Sequence, residues 1–400
     1  MDGINEKTNM NSGDDEFFRW LVETRRDFHR HPELSMLEKR TTQRIAEYLE
    51  AFGWEVTTFE DMPGVLGLLR GKEPGPTLAL RADMDALPLE EQTGADYASE
   101  VPGVMHACGH DAHATILLGV AKKLAESDVM NHAGGAVRLI FQPAEETLQG
   151  ARRLIARGAL QSPPVDRIYA LHLGPHIPAG KIGLYGSLAY AATDTFGLTL
   201  TGRGTHGARP DEGRDPITAG AYFITAVQTI VSRNVKPLHS AVVSVGRLQA
   251  GRAPNIIPES LTLEGTLRAL NPDVRETLVN RLKEMAEGIA GAFQVTPTFE
   301  LHSGCPPIKN DPDAANLLRS AAEKAFGKEN IIEEPPTMGG EDFAFYGEKC
   351  PAAIARLGCG NPEKGLTHPL HSPRFDLDER ALLYGVNLFL KLIRDFFQPA

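Results

Sequence analysis

Cysteine is scarce: four residues in 400, at Cys108, Cys305, Cys350 and Cys359. So few, spaced so widely, exclude a disulfide-stapled scaffold and show no zinc-finger pairing. Positive charge is also short, with 41 Lys and Arg against 52 Asp and Glu, a formal net charge of −11. That balance leaves no electrostatic footprint for a phosphate backbone or an anionic membrane, so neither nucleic acid nor membrane is an expected partner. No run of about 18 apolar residues is present to span a bilayer. No Asn-x-Ser/Thr acceptor occurs, and the polar, acidic first segment lacks the charged-then-apolar pattern of a secretory signal. These absences make the cytoplasm the expected location.

What is present is an ordinary globular composition, 42% hydrophobic and 23% charged, which excludes collagen, a long coiled coil and a disordered chain. At roughly 100–200 residues per domain, the length predicts two or three domains. Residues 1–13 read as a polar leader without hydrophobic period. Two amphipathic helical patterns follow over 14–53. Short β-like runs at 54–59, 65–69, 77–81, 136–141 and 168–173 then alternate with helical patterns at 112–126 and 147–157. Strands alternating with helices predict a layered α/β domain.

The pattern changes after about Tyr190. Strand, helix, strand, strand, helix, strand succeed one another over 196–301, the split βαβ order. Residues 188–301 are therefore expected to form an α+β domain inserted into the first. The first domain comprises 14–187 and 302–400.

Thirteen histidines are the unusual feature, and several stand in chemically suggestive company. The segment from Met105 to His113 places Cys108 beside His106, His110 and His113, and a thiolate with imidazoles suits a borderline metal such as zinc. Gly109 lets the chain turn so that Cys108 and His110 point to one centre. The bland alternative is a buried Cys acting as a small hydrophobe beside surface histidines. Gln142-Pro143-Ala144-Glu145-Glu146 puts two carboxylates where a strand ends, and strand ends are where ligands bind in open α/β sheets. A solvated acidic turn is the commoner fate of such a pair. His172 ends the next apolar run, and His368 and His371 precede the C-terminal helix. Each signal is weak alone, but a sheet would gather them along one edge. Gly202-Arg203-Gly204-Thr205-His206-Gly207 matches a dinucleotide-binding pattern without its context. Pro210 and Gly213 delay any helix, and no acid follows about 20 residues on. Those glycines instead carry His206 outward on a tight turn.

Taken in order, these segments resemble the M20 metallopeptidase superfamily, within it the amidohydrolase branch of aminoacylases, hippurate hydrolases and indole-acetyl-amino-acid hydrolases. The similarity runs from about Phe17 to Phe397 and includes Arg25 to Leu34, Arg81 to Pro88, Cys108-Gly109-His110-Asp111, Gln142 to Glu146, Ala253-Pro254-Asn255 and His371-Ser372-Pro373. The resemblance implies a mixed-sheet catalytic domain with an inserted ferredoxin-like lid that also dimerises. It implies that Cys108, His110, Glu146, His172 and His371 hold two divalent metal ions, with Glu145 as general base. By the same similarity His206 steadies the oxyanion, in some relatives from the neighbouring subunit, while Asn255 and Arg268 contact the substrate. Asp83, Asp85 and Asp111 are expected to orient ligands, and the other nine histidines receive no role. Two departures bear on substrate preference: Thr147-Leu148-Gln149-Gly150 replaces a run of glycines, and Arg209-Pro210-Asp211 replaces a Pro-His pair.

The expected activity is metal-dependent hydrolysis of N-acyl-L-amino acids. A dipeptidase or carboxypeptidase is the alternative within the superfamily, and a non-catalytic metal-stabilised binding module the alternative outside it. Glu145 speaks against the last, since a purely structural site needs no adjacent free carboxylate. Zinc or manganese is the expected metal, with cobalt or nickel admissible. A homodimer or homotetramer through the inserted domain is the expected assembly.

Overall fold

The computed structural model describes residues 12–398. The expected leader therefore lies outside the described residues, apart from its last two, which already belong to the first helix, Ser12–Arg30.

The chain divides into two units, and their boundaries correct the expected ones. The first unit runs to Ser187 and takes in Asn310–Pro335 and the chain from Phe345 onward; the second holds Leu188–Lys309 and Pro336–Ala344. Residues 302–309 belong to the second unit because the strand Thr296–Cys305 continues past residue 301 and Ile308–Lys309 pairs with Leu188–Tyr190. Residues 336–344 join it through backbone bonds: Thr337 N–H donates to Ala189 O at 2.9 Å, and Ala191 N–H to the carbonyls of Thr337 and Gly339. These are pairings between distant, very short segments, and hydrophobic period does not announce them.

The first unit is built on a mixed eight-stranded sheet. Its order is Glu55–Thr58, Val65–Arg70, Gly134–Gln142, Glu73–Asp83, Arg167–Pro178, Ala352–Gly360, Ile182–Tyr185 and Ile331–Glu334. The central strands, from Gly134–Gln142 across to Ala352–Gly360, are mutually parallel. Covered on both faces, they read as unbroken apolar runs, with Leu78, Leu80, Leu139, Phe141, Tyr169, Leu171 and Leu357 all buried. The strands Ile182–Tyr185 and Ile331–Glu334 escaped sequence reading because four residues are too few to show a period. The helix His110–Ala125 is buried almost all round and packs against both Ser12–Arg30 and Arg380–Phe397. Parallel strands bring their carboxyl ends to one edge. Asp83 and Gln142 end two of them, in register.

In the second unit Ala241–Ala250, Ser260–Ala269, Ala192–Thr201 and Thr296–Cys305 form an antiparallel sheet in that order. Alternate residues, Phe196, Leu198, Leu200, Leu261, Leu263 and Leu267, point into a core shared with the helices Pro216–Asn234 and Pro272–Phe293. Each helix starts from a capping side chain, Asp215 or Asn271, followed by Pro in the first turn. The strand and helix order is the split βαβ order read from the sequence. Among the described residues no helix is long and apolar enough to cross a membrane.

Candidate metal centre and active site

The centre is assembled where the helix His110–Ala125 begins. Gly109 has φ of 83°, and a Cβ there would lie 2.6 Å from Leu173 Cδ1. Glycine suits the backbone angle, and any Cβ would push the Leu173 side chain aside. The turn puts Cys108 and His110 on one side. Ligand atoms of Cys108, His110 and His172 lie within 4.8 Å of one another, and so do those of Cys108, Glu146 and His371. Cys108 is the member common to both sets. His172 Nε2 is 3.6 Å from its Sγ, while Glu146 Oε1 is 3.3 Å from His371 Nε2 and 3.9 Å from His110 Nε2. All five residues expected to hold metal are therefore neighbours, although they come from four separate stretches of chain. Glu145 forms a further group with His110 and Glu146.

The donor set fits divalent metal. His110 Nε2 and Glu146 Oε1 are buried without a hydrogen-bond partner, a costly state unless a ligand satisfies them. One thiol, three imidazoles and a carboxylate form the mixed sulfur, nitrogen and oxygen set that zinc and its transition-metal neighbours take. Burial pushes the Cys108 thiol up to about 12, so the group would have to shed a proton on binding. Burial, with Arg356 nearby, holds His172 well below the ordinary histidine value, and so ready to donate a lone pair. Burial disfavours the His110 cation too, but Asp83, Cys108 and Asp85 outweigh it and hold that ring well above its ordinary value. His371 carries φ of 62°, unusual for a non-glycine residue. Its N–H donates to Ala107 O at 2.8 Å, which ties it to the Cys108 segment.

Buried carboxylates orient this set. Asp85 Oδ1 accepts from His110 Nδ1 at 3.2 Å and from Glu145 N–H at 3.1 Å; its Oδ2 accepts from Glu146 N–H at 3.0 Å and Ser35 Oγ at 2.7 Å. A proton on His110 Nδ1 leaves Nε2 as the coordinating atom. His172 is fixed the same way, donating from Nδ1 to Leu173 O at 3.0 Å. Asp83 takes Arg81 Nη1 at 2.7 Å and His113 Nδ1 at 2.5 Å. Asp111 faces elsewhere, accepting from Arg25 Nε at 2.7 Å and His29 Nδ1 at 2.8 Å.

His113 and His29 thus have roles that sequence reading did not assign. Leu173 N–H donates to His113 Nε2 at 3.0 Å, so the ring's proton sits on Nδ1 and points at Asp83. Both nitrogens are spent, and His113 supports the centre without being a ligand. Its position three residues after His110, on the same helix face, was the available signal.

The two glutamates sit in a tight loop after the strand Gly134–Gln142. Ala144 has φ of 53°, and its carbonyl accepts from Gln149 and Gly150 N–H. At Gly150 a Cβ would lie 1.6 Å from Pro143 O, so only glycine fits at the end of this loop.

In the second unit, Thr205–His206 pairs with Ile256–Ile257, and Gly207 N–H donates to Asn255 O at 2.8 Å. His206 and Asn255 therefore share one exposed loop cluster. Ala208 N–H donates to His206 Nδ1 at 3.0 Å, which leaves Nε2 to carry the proton outward. Arg268 is half-buried and already engaged, donating from Nη1 to Thr193 Oγ1 and Met338 O, each at 3.0 Å.

A parallel-strand edge carrying these donors, with a second carboxylate beside them, is the architecture of a metal-dependent hydrolase. The chain belongs to peptidase family M20/M25/M40, whose model matches residues 79–395. It is a hydrolase of amide bonds, and within the family it stands with the amidohydrolases. The N-acetyl-L-cysteine deacetylase of Bacillus subtilis is 41% identical over 363 residues, covering 91% of this chain and 85% of that protein. IAA-amino acid hydrolase ILR1-like 2 of Arabidopsis thaliana is 37% identical over 374 residues, covering 92% of this chain and 83% of that protein. The crystal structure of the Bacillus subtilis YXEP protein, described as a dinuclear metal binding peptidase from the M20 family, matches with a TM-score of 0.84 at 34% identity. That match covers 97% of this chain and all of the other.

Proposed function

We propose that the protein hydrolyses the amide bond of N-acyl-L-amino acids, releasing a carboxylic acid and a free amino acid. The observation that carries this reading is the clustering of five donors, three of them buried, with a second carboxylate, Glu145, on the same loop as Glu146. The two relatives named for activity act, by their names, on acyl conjugates of amino acids. They differ in the acyl group, so the class and not the particular substrate is proposed.

Cys108, His110, Glu146, His172 and His371 would hold two divalent ions. When bound, such ions polarise a carbonyl and lower the pKa of water from 15.7 to about 7. Glu145 takes a proton from the attacking water and delivers it to the departing amine nitrogen, so one carboxylate serves both halves of the reaction. Asp85 holds the amides of Glu145 and Glu146 and the ring of His110, which fixes base and ligands relative to one another. His206, with its proton on Nε2, donates to the oxyanion of the tetrahedral intermediate. Asn255 and Arg268 contribute to substrate binding. Arg268, tied to Thr193 and Met338, meets a substrate carboxylate with a guanidinium already held in place. Assembly is through the second unit, as a homodimer or homotetramer.

A panel of acetyl, benzoyl and indole-acetyl amino acids and dipeptides, run after reconstitution with zinc, manganese or cobalt, tests the substrate class. Turnover of acyl amino acids above dipeptides is expected. The reverse order would make the protein a dipeptidase. Replacing His206 by Ala should lower kcat by about 10²–10³ with metal content unchanged. Mixing that variant with Glu145→Gln chains restores activity if His206 serves the neighbouring subunit; failure to restore it places the action within one chain.

A further inference from the structure

Glu38 precedes the helix Lys39–Ala51 at the position where a capping side chain belongs, yet its carboxyl makes no cap. It is fully buried and reaches across the first unit instead, where its Oε1 accepts from Ala144 N–H at 2.8 Å. Its Oε2 is buried with no hydrogen-bond partner. The next two amides along the chain, of Glu145 and Glu146, end on Asp85. Three successive N–H groups of the loop are thus received by two buried acids from distant parts of the sequence. Ala144 has positive φ, and an unheld amide there would loosen the turn on which Glu145 depends.

We infer that Glu38 is a positioning residue for the reaction, holding Ala144 N–H so that Glu145 is presented as base. This rests on the proposed role of Glu145. Burial, with Asp85 nearby, pushes the Glu38 carboxyl up to about 8. Glutamine reproduces the neutral acid in shape and in its acceptor.

The test compares Glu38→Gln with Glu38→Met in the full-length, metal-reconstituted enzyme. Both side chains fill the space, but only Gln can accept from Ala144. Met is expected to lower kcat by about 10², the loss that a misplacement of about 1 Å produces. KM and metal content should hold, and the Ala144–Glu146 amides should lose hydrogen-exchange protection. Gln is expected to restore most of the turnover and the protection. Equal kcat and equal protection in the two variants would overturn the inference, as would a Met variant that loses metal in proportion to activity. Glu145→Gln, run alongside, separates the two readings. If that variant stays active, the base assignment fails, whereas an inactive Glu145→Gln beside a fully active Glu38→Met defeats only the role given to Glu38.

Discussion

Glu145→Gln should retain its metal and lose turnover by about 10²–10⁴, the usual contribution of a positioned general acid or base. Glutamine keeps the shape of the side chain, and Asp85 grips this residue through its backbone N–H, so the loop should stay in place. What is lost is the capacity to accept a proton from water and return it to the amine. A competing geometry makes the experiment decisive, because Glu145 also lies within ligand distance of His110 and Glu146. Were it a ligand, the amide would weaken metal binding and the stoichiometry would fall together with kcat. Metal analysis beside single-turnover kinetics on one N-acyl amino acid distinguishes the two. Full occupancy with wild-type turnover would remove Glu145 from the mechanism altogether.

The layered core and the split βαβ unit were legible because both rest on local pattern. Long helices such as Pro272–Phe293 show their period, and strands such as Ser260–Ala269 alternate cleanly between buried and exposed residues. The metal-ligand candidates were legible through the resemblance, and all but His172 sit in a motif of two or more distinctive residues. Asp83 and Asp85 were expected to orient ligands, but Glu38 and His113 received no role. They act through partners 106 and 60 positions away, and local sequence does not mark those partners. Glu38 misleads outright, because its place before a helix suggests a cap that it does not make. The strip 336–344 was assigned to the wrong unit for a similar reason. It carries no period, and only its backbone bonds to Ala189 and Ala191 attach it.

Cys108 and His371 should differ in what their loss removes. Cys108 is common to the set with His110 and His172 and to the set with Glu146 and His371. Replacing it by Ala takes a donor from both, and the chain should bind neither ion at stoichiometric concentration. His371 belongs only to the second set, is the most exposed of the five, and hangs on a strained backbone angle tied to Ala107. His371→Ala should therefore keep one ion, held by Cys108, His110 and His172, and lose the other. Both variants should be inactive, so activity alone cannot tell them apart. Metal content by elemental analysis can, with expected values of two, zero and one per chain for wild type, Cys108→Ala and His371→Ala. Proton release adds a second measure. A thiol that holds its proton up to about 12 in the metal-free protein must release it on binding. Reconstitution at pH 7 should thus liberate a proton that the Cys108 variant does not. One ion retained in Cys108→Ala would show that the two sets do not meet at this sulfur.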